Sequence, residues 1–278
     1  MQHRLEEQLK AYAPGGVALA YSGGVDSALL LHALLRLQKK SPFALIAYYM
    51  HTPLHTDEET QNARHTAEAA GAELIVMHFD PLQLPALRFN PQERCYHCKK
   101  SLFSLIIADA RQRGLSCTMD GTNADDLTQY RPGLRALREL GVKSPLAQAG
   151  MSKADVRTLA AEWGLASSGK PSAPCLATRF DYGAELTEDA LRRVEAGEAL
   201  LHRLFPGQPL RLRVHGQNIV RLELPPTQMT HALAAAPEIT RELRKLGYHH
   251  ITLDLQGFRS GSMDEKPPRP LPQPHQNA

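Results

Sequence analysis

Two cysteines stand three positions apart in the segment RCYHC (94–98), in a chain that has four cysteines in all. Thiolates ligate soft metal ions and iron–sulfur clusters, pair as disulfides and act as nucleophiles. In a reducing compartment, four cysteines argue against a disulfide framework and favour metal binding or thiol chemistry. The spacing of Cys95 and Cys98 alone leaves a zinc site, a redox pair and a cluster site open.

A third cysteine, Cys175, lies in the proline-containing segment GKPSAPCLATRF (169–180), which we expect to be a loop with a fixed course. Lys170 and Arg179 flank it, and nearby cations lower the pKa of a thiol and raise its reactivity. An inert cysteine buried in the loop is the competing interpretation. Cys117, in a strand-like segment, is expected to pack in the core.

The segment YSGGVDS (21–27) follows a short apolar run and opens a helical pattern. Glycines allow a tight turn and a close approach to a ligand, and the free N–H groups at a helix start attract anions. Hydroxyl groups add donors, and an aspartate can hold a magnesium ion that neutralises phosphate. A plain strand-to-helix turn is the alternative. The predicted phosphate site comprises Ser22, Gly23, Gly24, Asp26 and Ser27, with Asp26 as the Mg²⁺ ligand.

A second polar segment, DGTNADD (120–126), follows a later apolar run. We expect Gly121 to let a nucleotide approach closely, with Thr122 and Asn123 beside it. The alternative is a helix N-cap turn, because Asn123 and Asp125 are good capping residues.

Strand-like and helical patterns alternate through the first part of the chain. We expect strands over 16–21, 43–50, 73–80 and 115–122, and helices over 25–40, 57–71, 91–114 and 152–165. Pro91 is placed at the start of the third helix, Gly114 at its end and Ser152 as the N-cap of the fourth. Such alternation predicts an α/β fold, a doubly wound parallel sheet whose ligand lies at the carboxyl ends of the strands.

The pattern changes after about residue 180. We expect a helix over 187–205, a hairpin over 210–224, a helix over 227–247 and a strand over 249–255. The predicted organisation is a first domain over 1–180, a smaller α+β domain over 181–265 and a proline-rich, disordered tail over 266–278.

The composition of the 278-residue chain is typical of a globular protein, with 42% hydrophobic and 22% charged residues. The N-terminus lacks the apolar core of a signal peptide, and no apolar run is long enough to span a bilayer, so we expect a cytoplasmic protein without a membrane partner. A net charge of +3 without a lysine-rich stripe argues against nucleic acid. Arginines outnumber lysines 22 to 10, which suits carboxylate and phosphate ligands.

The motif SGGVDS resembles the PP-loop of the ATP pyrophosphatases, a Rossmann-like superfamily that splits ATP between its α and β phosphates. The wider set of motifs resembles the LarE family, ATP-dependent sulfur transferases that build the nickel-pincer cofactor of lactate racemase. This set comprises SGGVDS, RCYHCKK, DGTNADD, YRPGLRAL, PSAPCLATRF and DLQGFRSGSMDE, in that order.

The resemblance implies a two-step reaction on a small-molecule mononucleotide substrate. A carboxylate of pyridinium-3,5-dicarboxylate mononucleotide attacks the α phosphate of ATP, pyrophosphate leaves into the SGGVDS loop, and a sulfur nucleophile displaces AMP. In single-cysteine members of the family, the residue matching Cys175 donates its own sulfur. The resemblance also implies a homo-oligomer.

This chain departs from the single-cysteine pattern, because it also carries Cys95 and Cys98. Three thiols fit a [4Fe–4S] cluster bound at three irons, and similar three-cysteine members use such a cluster to carry sulfide from a sulfide donor. We therefore predict that Cys95, Cys98 and Cys175 hold a [4Fe–4S] cluster. A sacrificial Cys175 and a zinc site that includes His97 remain the alternatives.

A substrate with a phosphate and two carboxylates calls for arginines, which bind such groups through paired hydrogen bonds. Glu223 and Asp254 could also hold a divalent ion, and a surface charge is the alternative for each of these residues. The predicted substrate residues are Arg179, Arg213, Arg221, Asp254 and Arg259.

Three other functions fit part of the sequence. A tRNA thiolase would share the PP-loop and the cysteines but would need a basic surface. An amide-forming PP-loop ligase would have no use for three thiols. A regulator that binds nucleotide without catalysis would bind ATP without releasing pyrophosphate.

Overall fold

The computed structural model describes residues 2–129, 131–169, 174–216 and 218–259. Within it the chain divides into two compact units, between Glu195 and Ala196. The predicted disordered tail, the end of the segment DLQGFRSGSMDE and the flanking Lys170 lie outside the described residues.

The first unit is built on a parallel four-stranded sheet. Its strands are β1 (Val17–Ala20), β2 (Leu45–His51), β3 (Leu74–His78) and β4 (Cys117–Met119), in the spatial order β3-β2-β1-β4. Val17 lies opposite Leu45 of β2 on one side and Cys117 of β4 on the other. The predicted parallel α/β sheet is confirmed, and the order places the first strand, which leads into SGGVDS, in its interior.

Helices cover the sheet on both faces. Those of the first unit are α1 (Gln2–Tyr12), α2 (Val25–Lys40), α3 (Asp57–Ala69), α4 (Pro85–Arg88), α5 (Arg94–Gln112), α6 (Gly133–Glu139), α7 (Pro145–Gln148) and α8 (Lys153–Glu162). Ser152 caps α8 by accepting a hydrogen bond from the Asp155 N–H at 3.2 Å, as predicted. The short helices α1, α4, α6 and α7 are elements that the sequence patterns do not reveal.

The strands alternate their side chains between two cores. Val17 and Leu19 face the core that contains α2, α3 and α8, whereas Ala18 faces the core that contains Ile106 and Ala110 of α5. Cys117 belongs to the first of these cores, as expected. The sheet is therefore buried on both sides, which explains why its strands read as continuous apolar runs.

The third predicted helix begins later than the sequence suggests. Proline favours the first helical position, which placed the start at Pro91, but α5 begins at Arg94. Residues 91–94 instead form a turn closed by a 2.9 Å hydrogen bond from the Arg94 N–H to the Pro91 carbonyl. The preceding residue, Asn90, lies before this turn and has a φ of +42°.

The second unit combines a three-stranded sheet with helices. Its strands are β5 (Arg211–His215), β6 (Ile219–Glu223) and β7 (His250–Leu253), and β6 pairs antiparallel with β5 and parallel with β7. Its helices are α10 (Met229–Ala234) and α11 (Ala236–Lys245), and α9 (Glu188–Leu204) spans the division between the units. The predicted helix over 227–247 is thus two helices, because Pro237 begins a new one.

A search of the described helices finds none with the length and apolarity that crossing a membrane would require.

Candidate nucleotide and sulfur sites

The SGGVDS segment forms a tight loop between β1 and α2, at the carboxyl end of the sheet. Gly23 has a φ of +72°, and a β-carbon there would stand 3.1 Å from the Ala63 side chain and 3.2 Å from its Cα. Only glycine fits this position without strain. Gly24 is the N-cap of α2 and has no capping side chain, so the first N–H groups of α2 are left for a ligand.

Two serine hydroxyls hold the loop in shape. The Ser27 hydroxyl lies 3.1 Å from the Ser22 hydroxyl, donates to the Gly24 carbonyl at 3.1 Å and accepts from the Ser22 N–H at 3.2 Å. Ser27 is buried. The loop is therefore organised before any ligand arrives, which reduces the entropy that phosphate binding must overcome.

Asp26, the predicted magnesium ligand, is engaged by two side chains from later in the chain. Lys153 forms an ion pair with one carboxylate oxygen, and Asn123 donates to the other at 3.0 Å. Sequence reasoning missed Lys153. The available signal was its position as the first residue of α8, where the helix dipole disfavours a cation unless an anion is nearby.

The DGTNADD segment packs against the start of α2. A β-carbon on Gly121 would lie 2.9 Å from the Ser27 nitrogen, so glycine here allows this segment to pack closely against the backbone of α2. Asn123 and Asp126 exchange hydrogen bonds of 3.1 and 3.2 Å between side chain and backbone. The segment thus contains the capping turn considered as its alternative, and it also brings Asn123 to the PP-loop.

A cleft of about 310 Å³ opens beside Thr122. The Thr122 hydroxyl donates to buried Asp120 at 2.5 Å, and Ser144 donates to the same carboxylate at 2.6 Å. The cleft is lined by Thr122, Leu127, Leu134, Leu137, Arg138, Val142 and Ser144.

The cysteine site lies at the start of α5, which carries Cys95 and Cys98 on its first turns. Cys95 is exposed, whereas Cys98 and Cys175 are half-buried. The pKa of Cys98 is raised to about 12. Burial is the largest cause, and the neighbouring Cys175 and Cys95 thiols add to the rise. The effects of Cys175 and Cys95 on Cys98 place the three predicted cysteines in one environment, although Cys175 follows Cys98 by 77 residues.

The pKa of Cys175 is raised, mainly by burial, even though Arg94 and Arg179 oppose that rise. The expectation that flanking cations would lower it is therefore wrong for the metal-free protein, because desolvation outweighs the nearby charges. Arg179 donates to the Pro174 carbonyl at 2.6 Å and to the Cys175 carbonyl at 3.3 Å. This predicted substrate residue thus braces the loop that holds the thiol.

Asn90 joins the two cysteine segments. It is fully buried, has a φ of +42°, and its amide donates to the carbonyls of Ala177, Phe180 and Asp181 at 3.3, 3.0 and 2.9 Å. Its side-chain oxygen accepts a hydrogen bond from Arg94, which is also buried. Sequence reasoning missed both residues, because the backbone partners of Asn90 lie 87 to 91 positions along the chain and Arg94 contacts that segment only through Asn90.

Arg94 lies among the thiols. Burial alone would lower its pKa, but the effects of Cys175 and Cys95, including a side-chain hydrogen bond to Cys95, raise it instead. Its guanidinium is therefore charged and in electrostatic contact with both segments.

The cysteine site offers three sulfur donors to a metal. Among the described residues, no three His, Cys, Asp or Glu side chains already stand in ligating positions. The donor chemistry nevertheless suits an iron–sulfur cluster, since thiols are soft ligands and Cys95 raises the pKa of both Cys98 and Cys175. The three cysteines are therefore suitable cluster ligands, both in their chemical type and in their proximity to one another.

The predicted substrate residues of the second unit form an ion-pair network. Fully buried Glu223 contacts buried Arg213 at 3.1 Å and Arg221 at 3.2 Å. Asp254 lies 3.4 Å from Arg221 and 3.7 Å from Arg259. The structure thus brings four of the five predicted substrate residues together in this unit. Arginine and carboxylate side chains thus alternate in one network, at the end of β6 and the start of the segment that follows β7.

Comparisons with known proteins agree with this architecture. Residues 1–84, which contain the glycine loop, match a family described as a PP-loop domain. A protein of Lactiplantibacillus plantarum named pyridinium-3,5-bisthiocarboxylic acid mononucleotide synthase is 38% identical over 251 residues, covering 90% of this chain and 89% of that protein.

Two uncharacterised proteins match over similar lengths. One from Synechocystis is 36% identical over 248 residues, covering 88% of this chain and 91% of that protein. The other, from Methanocaldococcus jannaschii, is 28% identical over 260 residues, covering 94% and 96%.

Proposed function

The chain belongs to the LarE family of ATP-dependent sulfur transferases, and from this premise we propose that it converts pyridinium-3,5-dicarboxylate mononucleotide into the thiocarboxylate used in nickel-pincer cofactor synthesis. The observation that carries the proposal is the 38% identity to the named synthase, which extends over both units of the chain. The described site geometry supports each step.

The PP-loop would receive the pyrophosphate leaving group. The uncapped N–H groups at the start of α2 and the Ser22 hydroxyl are suitable donors for phosphate oxygens. Lys153, held beside this loop by Asp26, would add the positive charge that stabilises the leaving group as negative charge develops. Magnesium would bind at Asp26 and neutralise phosphate charge there.

The cysteine site would supply sulfur to the acyl adenylate. Sulfur attacks the activated carboxyl carbon, the bond from that carbon to the AMP oxygen breaks, and AMP leaves with the electron pair. Cys95, Cys98 and Cys175 would hold a [4Fe–4S] cluster, which when bound carries the sulfide. Asn90 and Arg179 hold the segment that contains Cys175 in place through hydrogen bonds to its carbonyls.

The arginine network of the second unit would bind the substrate's phosphate and carboxylate groups. Its guanidinium groups, which the ion pairs hold in place, suit an anion of this kind. The homo-oligomer expected from the resemblance stays a prediction.

The test is iron and sulfide analysis with visible spectroscopy of anaerobically reconstituted protein, beside a Cys95→Ala/Cys98→Ala variant. About four irons per chain, with broad visible absorption that the variant loses, would support the cluster. Absence of iron, with Cys175 losing the mass of one sulfur during turnover, would instead identify a sacrificial cysteine.

The reaction itself is tested by supplying ATP, Mg²⁺, sulfide and the dicarboxylate mononucleotide, and measuring pyrophosphate and thiocarboxylate. Pyrophosphate release that depends on the mononucleotide, with thiocarboxylate formed, supports the proposal. Release that depends on tRNA instead would identify a tRNA thiolase, and ATP binding without release would identify a regulator.

A further inference from the structure

Thr52, the residue that follows β2, organises a tight turn at the carboxyl end of the parallel sheet. It is 2% exposed. Its hydroxyl accepts a hydrogen bond from the Leu54 N–H at 3.2 Å, and its carbonyl accepts one from the His55 N–H at 3.1 Å. The same hydroxyl lies 3.2 Å from Nδ1 of His55. Pro53, which favours the second position of such a turn, has no N–H to satisfy. One side chain therefore fixes the course of this turn.

The turn in its place holds the segment that carries Cys175. The Leu176 N–H donates to the Leu54 carbonyl at 2.9 Å. Leu54 and Leu176 are 4% and 3% exposed, so water has little access to replace this bond, and its loss would leave buried polar groups unpaired. The contact is separate from those of Asn90, which bonds to carbonyls further along the same segment. The Cys175 segment is thus anchored at two independent points.

The anchor at Leu54 also connects the sulfur segment to the nucleotide loop. β2 pairs with β1 in parallel, and the Tyr48 carbonyl of β2 accepts from the N–H of Tyr21, the first residue of YSGGVDS, at 2.8 Å. Thr52 follows in the same chain direction, just beyond the end of β2. The PP-loop and the anchor therefore extend from neighbouring strands of one sheet. Such precision matters for a transfer step, because a misplacement of about 1 Å can cost about 10²-fold in rate.

We propose that Thr52 is a positioning residue, whose hydroxyl shapes the turn that holds the Cys175 segment in place relative to the PP-loop. The inference rests on the proposed function, in which Cys175 takes part in the sulfur step. Loss of the hydroxyl should then impair sulfur transfer and spare adenylation. An acyl adenylate that sulfur does not reach is hydrolysed: water attacks the carboxyl carbon, AMP leaves with the electron pair, and the carboxylate is regenerated.

Amide hydrogen exchange tests the anchor directly. Four full-length, metal-free proteins are labelled at leucine nitrogen and compared by NMR: wild type, Thr52→Val, Thr52→Ser and the control Thr60→Val, which removes the hydroxyl of another buried threonine of the first unit. The Leu176 amide reports on the bond to Leu54. The Leu186 amide, which donates to the Arg88 carbonyl at 2.8 Å, is the internal control, because it does not involve the turn.

Thr52→Val should speed exchange of the Leu176 amide about tenfold, because the buried Leu54 N–H loses its acceptor and the turn opens more often. Thr52→Ser and Thr60→Val should keep that rate within about threefold of wild type. A change of less than about threefold in Thr52→Val would overturn the proposal. Equal acceleration at Leu186 would overturn it too, since the effect would then be a general loss of stability.

If Thr52→Val does not fold, wild type alone decides. Residues that open as one unit have similar protection from exchange, so the Leu54 and Leu176 amides should agree within about fivefold. A larger difference would show that the Cys175 segment opens without the turn, which overturns the proposal.

The reaction supplies a second readout. With reconstituted protein, ATP, Mg²⁺, sulfide and the dicarboxylate mononucleotide, thiocarboxylate formed per pyrophosphate released should fall about tenfold in Thr52→Val. Thr52→Ser should restore the ratio, and Thr60→Val should leave it unchanged. An unchanged ratio in folded Thr52→Val would overturn the positioning role. If wild type itself forms no thiocarboxylate, the proposed function fails, while amide exchange still decides whether Thr52 holds the Cys175 segment.

Discussion

The PP-loop and the cysteine site lie in the same unit but are assembled in opposite ways. The PP-loop is one continuous segment, and its serine hydroxyls and glycine carbonyl bond to each other within six residues. The cysteine site consists of two segments that Asn90 connects across 91 positions. A local loop tolerates changes elsewhere in the chain, whereas a site made from distant segments depends on the residue that joins them.

We expect mutations in the two regions to affect different steps of the reaction. The largest effect is expected at Cys175. Cys175→Ala removes a thiol that no other described residue replaces, so thiocarboxylate formation should fall by about 10³-fold or more. Pyrophosphate release should stay within about twofold of wild type, because the PP-loop is untouched. Both products are measured in one reaction, with Cys117→Ala as the control. A matching loss of pyrophosphate release would show that the two regions act as one.

The next effect is expected at the PP-loop side of this comparison. Lys153→Met removes the cation paired with Asp26, and pyrophosphate release should fall by about 10²-fold in kcat/KM, as for other lost transition-state donors. Lys153→Arg should recover part of the rate, and exposed Lys39→Met should change nothing. Undiminished release by Lys153→Met would place the leaving group elsewhere.

A third prediction concerns Asn90, which connects the two segments of the cysteine site. Asn90→Ala leaves the carbonyls of Phe180 and Asp181 and the Arg94 guanidinium without their partner. The free energy of unfolding should fall by about 3 kcal/mol, the scale for losing several buried hydrogen bonds. Urea denaturation measures the change, and Asn62→Ala on α3 is the control. A loss below about 1 kcal/mol would mean that other contacts join the segments.

The smallest effect concerns the pH dependence of stability that arises from the half-buried thiol of Cys98. Its pKa is about 12 in the folded protein, above the ordinary thiol value, so the folded state holds the proton more tightly than the unfolded chain. Stability should therefore fall as the pH rises above roughly 9, with a slope of at most about 1.4 kcal/mol per pH unit from this group. Urea denaturation of metal-free wild type and Cys98→Ala at pH 8, 9 and 10 measures it. Parallel pH dependences in the two proteins would contradict the prediction.

Much of the first unit could be predicted because its signals are local. The helix over 25–40 matches α2 in both bounds, and the capping serine of α8 is identified by its sequence context. The strands follow from their apolar runs, since a parallel sheet buried on both faces needs such residues. Gly23 likewise predicts the tight turn that the structure shows at this position.

The contacts between distant segments could not be predicted in this way. No sequence pattern pairs Lys153 with Asp26 or Asn90 with Phe180, because such contacts depend on how the elements pack. The wrong start of α5 has the same origin. The proline rule is local and does not predict that residues 91–94 form a separate turn before the helix.

The span bridged by Asn90 has a consequence for synthesis of the protein. Asn90 finds its last partner, Asp181, 91 residues later in the chain. At about 5–20 residues per second, the ribosome needs roughly 5 to 18 s to make that stretch. During this time Cys95 and Cys98 have been made, and the segment that carries Cys175 has not yet joined them. Oxidants in the cell therefore have a window of several seconds, in every round of translation, to reach two thiols that the finished protein holds beside a third.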